Sequence, residues 1–388
     1  MTASASTPVV NLNDHAAAAA YLMKHAGATA LVALDGQWPG RPAGIITKAD
    51  IARAAAAGQD LNNVRIRDLL VVSRKEQAMK AIAIDGFGAP PSLRDLPVPE
   101  PGEGEILVRV RASSVNGFDV SVASGHLKGL IEHRFPVVLG RDFAGTVEAA
   151  GPGVTSLRPG QAVFGVVTKP ALGDGAFGQY VTAPAACTAR IPAGLDLAAA
   201  GALGLAGTAA LAAVDAVAPL PGETVLVSGA NGGVGAFAVQ LAAARGAYVI
   251  RTARPGEDDD AFLRDLGAHH TVDHTGDVPA AVAALRPPGI HVVVHLAGDG
   301  LQLTGLLLPG GRIASTAGLP RDQPGGRAVQ ATPVTAVPDS RTLERLAADV
   351  VAGQLTVPVQ RTYPLADVPR ALADFAAGTR GKLAITVA

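Results

Sequence analysis

The chain contains one cysteine, Cys187, among 388 residues. A single thiol excludes internal disulfides and any metal site built from several thiolates. Tryptophan occurs once, methionine three times, and aromatic residues make up 4%, so cores have to form from small and aliphatic side chains. Charge is sparse as well: 17% of residues are charged and the formal net charge is −1. Lys and Arg are scattered without a basic run, which gives nucleic acid or an anionic membrane no broad attraction. No charged n-region followed by an apolar h-region stands at the N-terminus. No apolar run approaches the roughly 18 residues of a spanning helix. These absences point to a cytoplasmic protein without nucleic-acid or membrane partners. Hydrophobic residues, at 48%, are sufficient for sizeable cores, and the length allows two or three domains at roughly 100–200 residues each.

Punctuation by Gly and Pro separates three regions. Residues 8–73 hold an alanine-rich helical stretch (14–25), a short strand (30–34), a Gly/Pro turn (35–42), a second strand (43–47) and a helix from Lys48 to before Gly58. Ser73 to Gln77 is polar and charged, a linker. From Met79 to about Ala200 the pattern is short strands broken by turns, such as 105–111 and 145–150, which argues a small β-barrel or sandwich. From about Gly201 to Val337 strands alternate with helices, implying a parallel sheet with crossover helices. The last 50 residues carry two helices and a terminal strand, 382–387.

The most specific segment is Val225-Leu-Val-Ser-Gly-Ala-Asn-Gly-Gly-Val-Gly235, a short β-branched strand followed by glycines and then an apolar helix. Ala230, Gly232 and Gly235 stand at the spacing of G-x-G-x-x-G. The first small residue permits a tight turn, the second lets backbone approach a diphosphate, and the third lets the helix pack on the strand. With Asn231, Gly233 and Val234 they form the expected dinucleotide pyrophosphate site, facing the amides and positive dipole end of a helix.

Residues 79–388 resemble the medium-chain dehydrogenase/reductase superfamily, and within it the zinc-independent quinone oxidoreductase (zeta-crystallin-like) group. The matching pieces are Pro99 to Val108, Ser114-Val-Asn-Gly-Phe-Asp119, Pro136 to Gly145, Gly175 to Tyr180, Gly204-Leu-Ala-Gly-Thr208, the glycine turn and Arg380-Gly-Lys-Leu383. The resemblance implies an α/β chain with a GroES-like β-barrel catalytic domain at 79–205, completed by 340–388, and a Rossmann domain at 206–339. Residues 8–73 resemble a single CBS motif, a small α+β module. In that family the residues matching Thr47 and Asp50 hold an adenine nucleotide's ribose, while packing or dimerisation is the alternative role. A homodimer is also implied.

Zinc-dependent relatives place a cysteine where this chain has Asn116 and a His-Glu pair where it has Arg141-Asp142, so no metal is expected. Arg141 and Asp142 are expected to pair with each other there. At the end of the second nucleotide-domain strand, Ile250-Arg-Thr-Ala-Arg254 lacks the acid that accepts the ribose hydroxyl of NAD. Arg251 and Arg254, beside Thr252, suit the 2′-phosphate of NADPH, with His274 near the adenosine. The resemblance nominates Asn116, Thr208, Ala297, Gly298 and Lys382 near the nicotinamide. His126 is the one histidine in the loop after Asn116, a residue type often used to pass protons. Expected catalytic residues are therefore Asn116, His126 and Thr208, acting in NADPH-dependent reduction of a quinone or α,β-unsaturated carbonyl substrate, with the proton drawn from solvent. Two other functions stay open: an NADPH-binding regulatory protein, and enoyl reduction or rearrangement in a biosynthetic pathway.

Overall fold

The strand Glu105–Ser114 alternates aliphatic and polar residues and is buried over most of its length. It forms the axis of the first large unit of this computed structural model, which describes residues 9–35, 41–70, 78–254, 256–318 and 329–388. The expected linker Ser73–Gln77 and most of the 35–42 turn lie outside these residues. Glu105–Ser114 pairs antiparallel with Asp142–Ala150, Tyr180–Pro184 and, from the far end of the chain, Lys382–Thr386. Phe143, Phe177, Ile82, Ile106 and Val108 fill the barrel interior.

The helix Leu197–Val217 follows. It corrects one expectation and bears on another. At 21 residues it is long and apolar enough to span a membrane, although 72% of its apolar window is buried inside the protein. Ala and Gly, rather than a run of bulky residues, supply that apolarity. The 205/206 domain boundary also falls within it. The small residues have a packing reason, because a Cβ at Gly201 would lie 2.9 Å from the Ala112 carbonyl carbon, and one at Gly204 would lie 2.9 Å from Asp142 Oδ1. Through these glycines the helix lies directly on the barrel.

Beyond the helix, six parallel strands run in the order His270–Asp273, Tyr248–Ala253, Thr224–Val227, Ile290–His295, Leu307–Ser315, Gln330–Pro333. The chain steps outward from Thr224–Val227 in one direction and then restarts beside it with Ile290–His295. That reversal makes a topological switch point, where a crevice opens past the carboxyl ends of the strands. At the N-terminus a separate three-stranded sheet, Val9–Asn11, Ala30–Asp35 and Arg41–Thr47, packs helices Ala16–His25 and Lys48–Ala56 around its own core of Val10, Met23, Leu31, Ile46 and Leu69.

Candidate cofactor groove and the charges beside it

A groove of about 1160 Å³ opens at the switch point. One wall is Ser228, Gly229, Asn231 and Gly232 from the glycine turn, and the facing edge is Leu296–Asp299. The tight turn belongs to Gly229 (φ +67°) and not to Ala230, which is buried. Gly229 N–H donates to Thr252 Oγ1 at 3.0 Å, so Thr252 fixes the turn. A Cβ at Gly235 would sit 2.3 Å from Gly229 O, whereas one at Gly232 meets only Gly229 O, at 3.5 Å. The third glycine therefore serves helix packing, and the second keeps backbone open to the groove. Gly232 caps the helix Gly233–Ala244, with Val234 in its first turn.

Arg254 and His274 line the groove at its other end and are exposed. Arg251 does not join them. Its side chain is buried and donates to Asp260 Oδ1 at 2.8 Å. A residue of an inner parallel strand is covered on both faces, so its cation needed an internal partner, and the next helix supplies one. Gln360, Phe375 and Ala377–Arg380 complete the groove from the C-terminal segment; of these only Arg380 lies in a recognisable motif.

The residues expected at the nicotinamide end divide. Ala297 and Gly298 line the groove. Lys382 does not. Its stem packs on Gly233, where an added Cβ would be 2.6 Å from Lys382 Cδ, and its ammonium turns into the barrel. There Nζ donates to Asn116 Oδ1 at 2.6 Å and Val115 O at 3.1 Å and lies 3.5 Å from Asp142 Oδ2. Asn116 Nδ2 donates to Asp142 Oδ2 at 2.9 Å and Ser114 O at 3.3 Å. Ser114 Oγ and Leu205 N–H complete the coordination of the Asp142 carboxylate. Asn116 thus spends its amide protons inside this network and offers none to a substrate, contrary to expectation.

Asp142 pairs with Lys382 instead of Arg141. The Arg141 guanidinium lies 4.4 Å over the Phe118 ring, and its Nε has no hydrogen-bond partner. Burial lowers the pKa values of Arg141 and Lys382. A buried acid also stands here, where none was expected. Asp119 is fully enclosed, and burial raises its pKa to about 7; the Asn116 N–H and the Lys382 and Arg141 charges oppose that rise. The Ser-Val-Asn-Gly-Phe-Asp motif could have revealed it, since Asp at the N3 position caps the helix that Asn116 begins. His126 is exposed, 3.1 Å from Ser124 Oγ, and is not in the groove lining. Thr208 is buried, with Oγ1 lacking a partner among the described residues.

Over residues 102–193 the chain matches the family of alcohol dehydrogenase GroES-like domains, and over 266–385 the zinc-binding dehydrogenase family. It is 32% identical over 249 residues to a quinone oxidoreductase of Sus scrofa, covering 61% of this chain and 73% of that protein. The chain belongs to the medium-chain dehydrogenase/reductase family. Members of this family bind nicotinamide cofactors, which agrees with a groove at the switch point of a Rossmann-like sheet. Among solved structures, the quinone oxidoreductase from Coxiella burnetii superposes with a TM-score of 0.72 at 29% identity, covering 80% of this chain and 100% of that one. A cobalt- and zinc-bound alcohol dehydrogenase from Pyrobaculum aerophilum reaches 0.70 at 26% identity, over 80% and 100%. A mycocerosic acid synthase-like polyketide synthase of Mycobacterium tuberculosis is 38% identical over 212 residues, which are 54% of this medium-chain dehydrogenase/reductase but 10% of the synthase.

Proposed function

We propose that the protein is a metal-free, NADPH-dependent reductase of a quinone or an α,β-unsaturated carbonyl compound. The observation that carries the metal-free reading is the Lys382–Asn116–Asp142 network. In it the Asn116 amide, at a position where zinc-dependent relatives have a cysteine, is spent on Asp142 and the Lys382 ammonium, with the Arg141 cation adjoining. A divalent ion there would have to expel Lys382 and face a guanidinium, and an amide is a poor substitute for thiolate or imidazole. The donor set does not fit a metal.

The fit to a dinucleotide is good. Asn231, Gly232 and the first-turn amides of Gly233–Ala244 would hold the diphosphate, where the helix dipole favours an anion. Arg254 would meet the 2′-phosphate, with His274 beside it, and Ala297 and Gly298 would border the nicotinamide. The unpartnered Thr208 hydroxyl is a further candidate for that end. Bound NADPH supplies hydride; the chain supplies orientation and a local field. Burial raises the pKa of Asp119, beside Asn116, to about 7, which favours its protonated form relative to an ordinary carboxylate.

The likeness to part of a polyketide synthase supports enoyl reduction as the second reading. In the N-terminal module Thr47 and Asp50 cap Lys48–Ala56 through bonds to each other, which favours a packing role over nucleotide capture. Gln330–Pro333, the exposed outer strand of the six-stranded sheet, supports a homodimer, since an open edge invites pairing. The test is loss of NADPH absorbance with a panel of quinones and enones, with and without chelator. The expected result is turnover with at least one class, unaffected by chelation; no turnover across the panel, or loss on chelation, goes against the proposal.

A further inference from the structure

His295 is the last residue of the strand Ile290–His295 and is 2% exposed. The residues before it, Val292, Val293 and Val294, are fully buried. An aliphatic side chain would satisfy packing there, and an imidazole is costly unless both nitrogens are bonded. Both are. Nε2 lies 3.1 Å from Gly298 O and Nδ1 lies 2.8 Å from Ser315 Oγ. Ser315 is its register partner on the next strand.

The proton positions follow from the partners. A carbonyl only accepts, so Nε2 carries the proton, and the single Ser315 hydroxyl proton is shared between Nδ1 and the Gly318 carbonyl. Ser315 Oγ in turn accepts from Ala317 N–H at 3.1 Å and lies 3.0 Å from Gly318 O. The imidazole therefore joins two turns, 296–299 and 316–318, of which the first borders the groove. Gly298 is at φ +85°. Nearer the strand the same turn is held by Ser228 Oγ, which accepts from Leu296 and Ala297 N–H at 3.0 and 3.3 Å. Gly300 leaves the ring its space, since a Cβ there would be 2.9 Å from His295 Cε1.

We propose that His295 is a positioning residue for the cofactor: by holding the Gly298 carbonyl it sets the groove wall at the nicotinamide end, and Ser315 braces it against the neighbouring turn. The inference rests on the dinucleotide reading given above. Two substitutions separate the two arms. The amide of Gln reaches about as far as Nε2, and that of Asn about as far as Nδ1. H295Q should keep the hold on Gly298, and H295N should lose it while remaining near Ser315.

Calorimetric titration of the full chain with NADPH and with NADH is the first measurement. Wild type and H295Q should bind within about threefold of each other. H295N should bind both dinucleotides about tenfold more weakly, the worth of one lost hydrogen bond. An equal loss for both is expected because the wall lies away from the adenosine end. H295N binding like wild type, or H295Q losing as much as H295N, overturns the proposal. Hydrogen exchange of the cofactor-free protein is the second measurement. Amides of 296–299 should exchange faster in H295N but not in H295Q. If wild type binds neither dinucleotide, the functional reading fails, and unchanged exchange in H295N separately removes the clamp.

Discussion

Replacing Asp119 by Asn should make the protein more stable at alkaline pH. Asp119 is 1% exposed and its Oδ2 accepts from Asn116 N–H at 2.8 Å. Burial raises its pKa from 3.8 to about 7. Well below pH 3.8 the carboxyl is protonated in both the folded and unfolded chain, and folding carries no ionisation cost. As pH rises from 4 to 7 the unfolded chain ionises while the fold keeps its proton, so stability falls and levels out above pH 7. A displacement of about three units at 1.36 kcal/mol each amounts to about 4 kcal/mol. Asn has no charge to desolvate and retains an oxygen for the Asn116 N–H. Its extra N–H groups cost about 1–3 kcal/mol if they find no partner, at every pH alike. The readout is therefore the change with pH of the difference between D119N and wild type. Urea midpoints measured from pH 4 to pH 8.5 should show D119N gaining about 4 kcal/mol relative to wild type across that span. A difference that is constant with pH would refute the burial of an ionisable Asp119.

Four further predictions concern the groove and the network. Arg254→Ala should raise KM for NADPH about 10–100-fold, a charged hydrogen bond's worth, and leave NADH nearly unchanged in steady-state assays. Arg251→Ala should lower thermal stability without altering that preference, and a changed ratio would return Arg251 to the groove. Gly235→Ala should abolish dinucleotide binding by calorimetry, because its methyl would meet Gly229 O at 2.3 Å; retained binding would mean that the turn relaxes. Lys382→Met and Asp142→Asn should each cost about 3–5 kcal/mol, and the double variant at least about 1 kcal/mol less than their sum. Additive denaturation energies would show the two charges to be uncoupled.

Local patterns carried much of the fold. The strand, glycines and helix of 224–244 are contiguous, so their spacing alone located the groove. The switch from broken strands to alternating strands and helices located the barrel and the parallel sheet. Long-range pairings were not legible. Arg251 looked available because its partner, Asp260, sits on a separate helix, and burial of a strand residue depends on what covers the sheet. Asn116 looked like a hydrogen-bond donor because its consumers, Asp142 and Lys382, are 26 and 266 residues away. The helix Leu197–Val217 has no distinctive pattern, because Ala and Gly make an apolar surface without bulky residues. His295 carried no motif, and only its register with Ser315 gives it a role.

The strand Lys382–Thr386 belongs to the barrel, and Gly381 N–H also donates to Asn231 O in the glycine turn at 2.7 Å. During synthesis this imposes a wait. At roughly 5–20 residues per second, the ribosome needs about 13–50 s to travel the 266 residues from Asn116 to Lys382. The six-stranded sheet is complete before then, while the barrel sheet still lacks Lys382–Thr386 and Val359–Pro364, which joins the sheet only through it, with Asn116 and Asp142 still hydrated. Closure of the barrel and arrival of the buried ammonium are therefore a single late event, and a nascent chain stalled before residue 382 should be the species most open to protease and to chaperones.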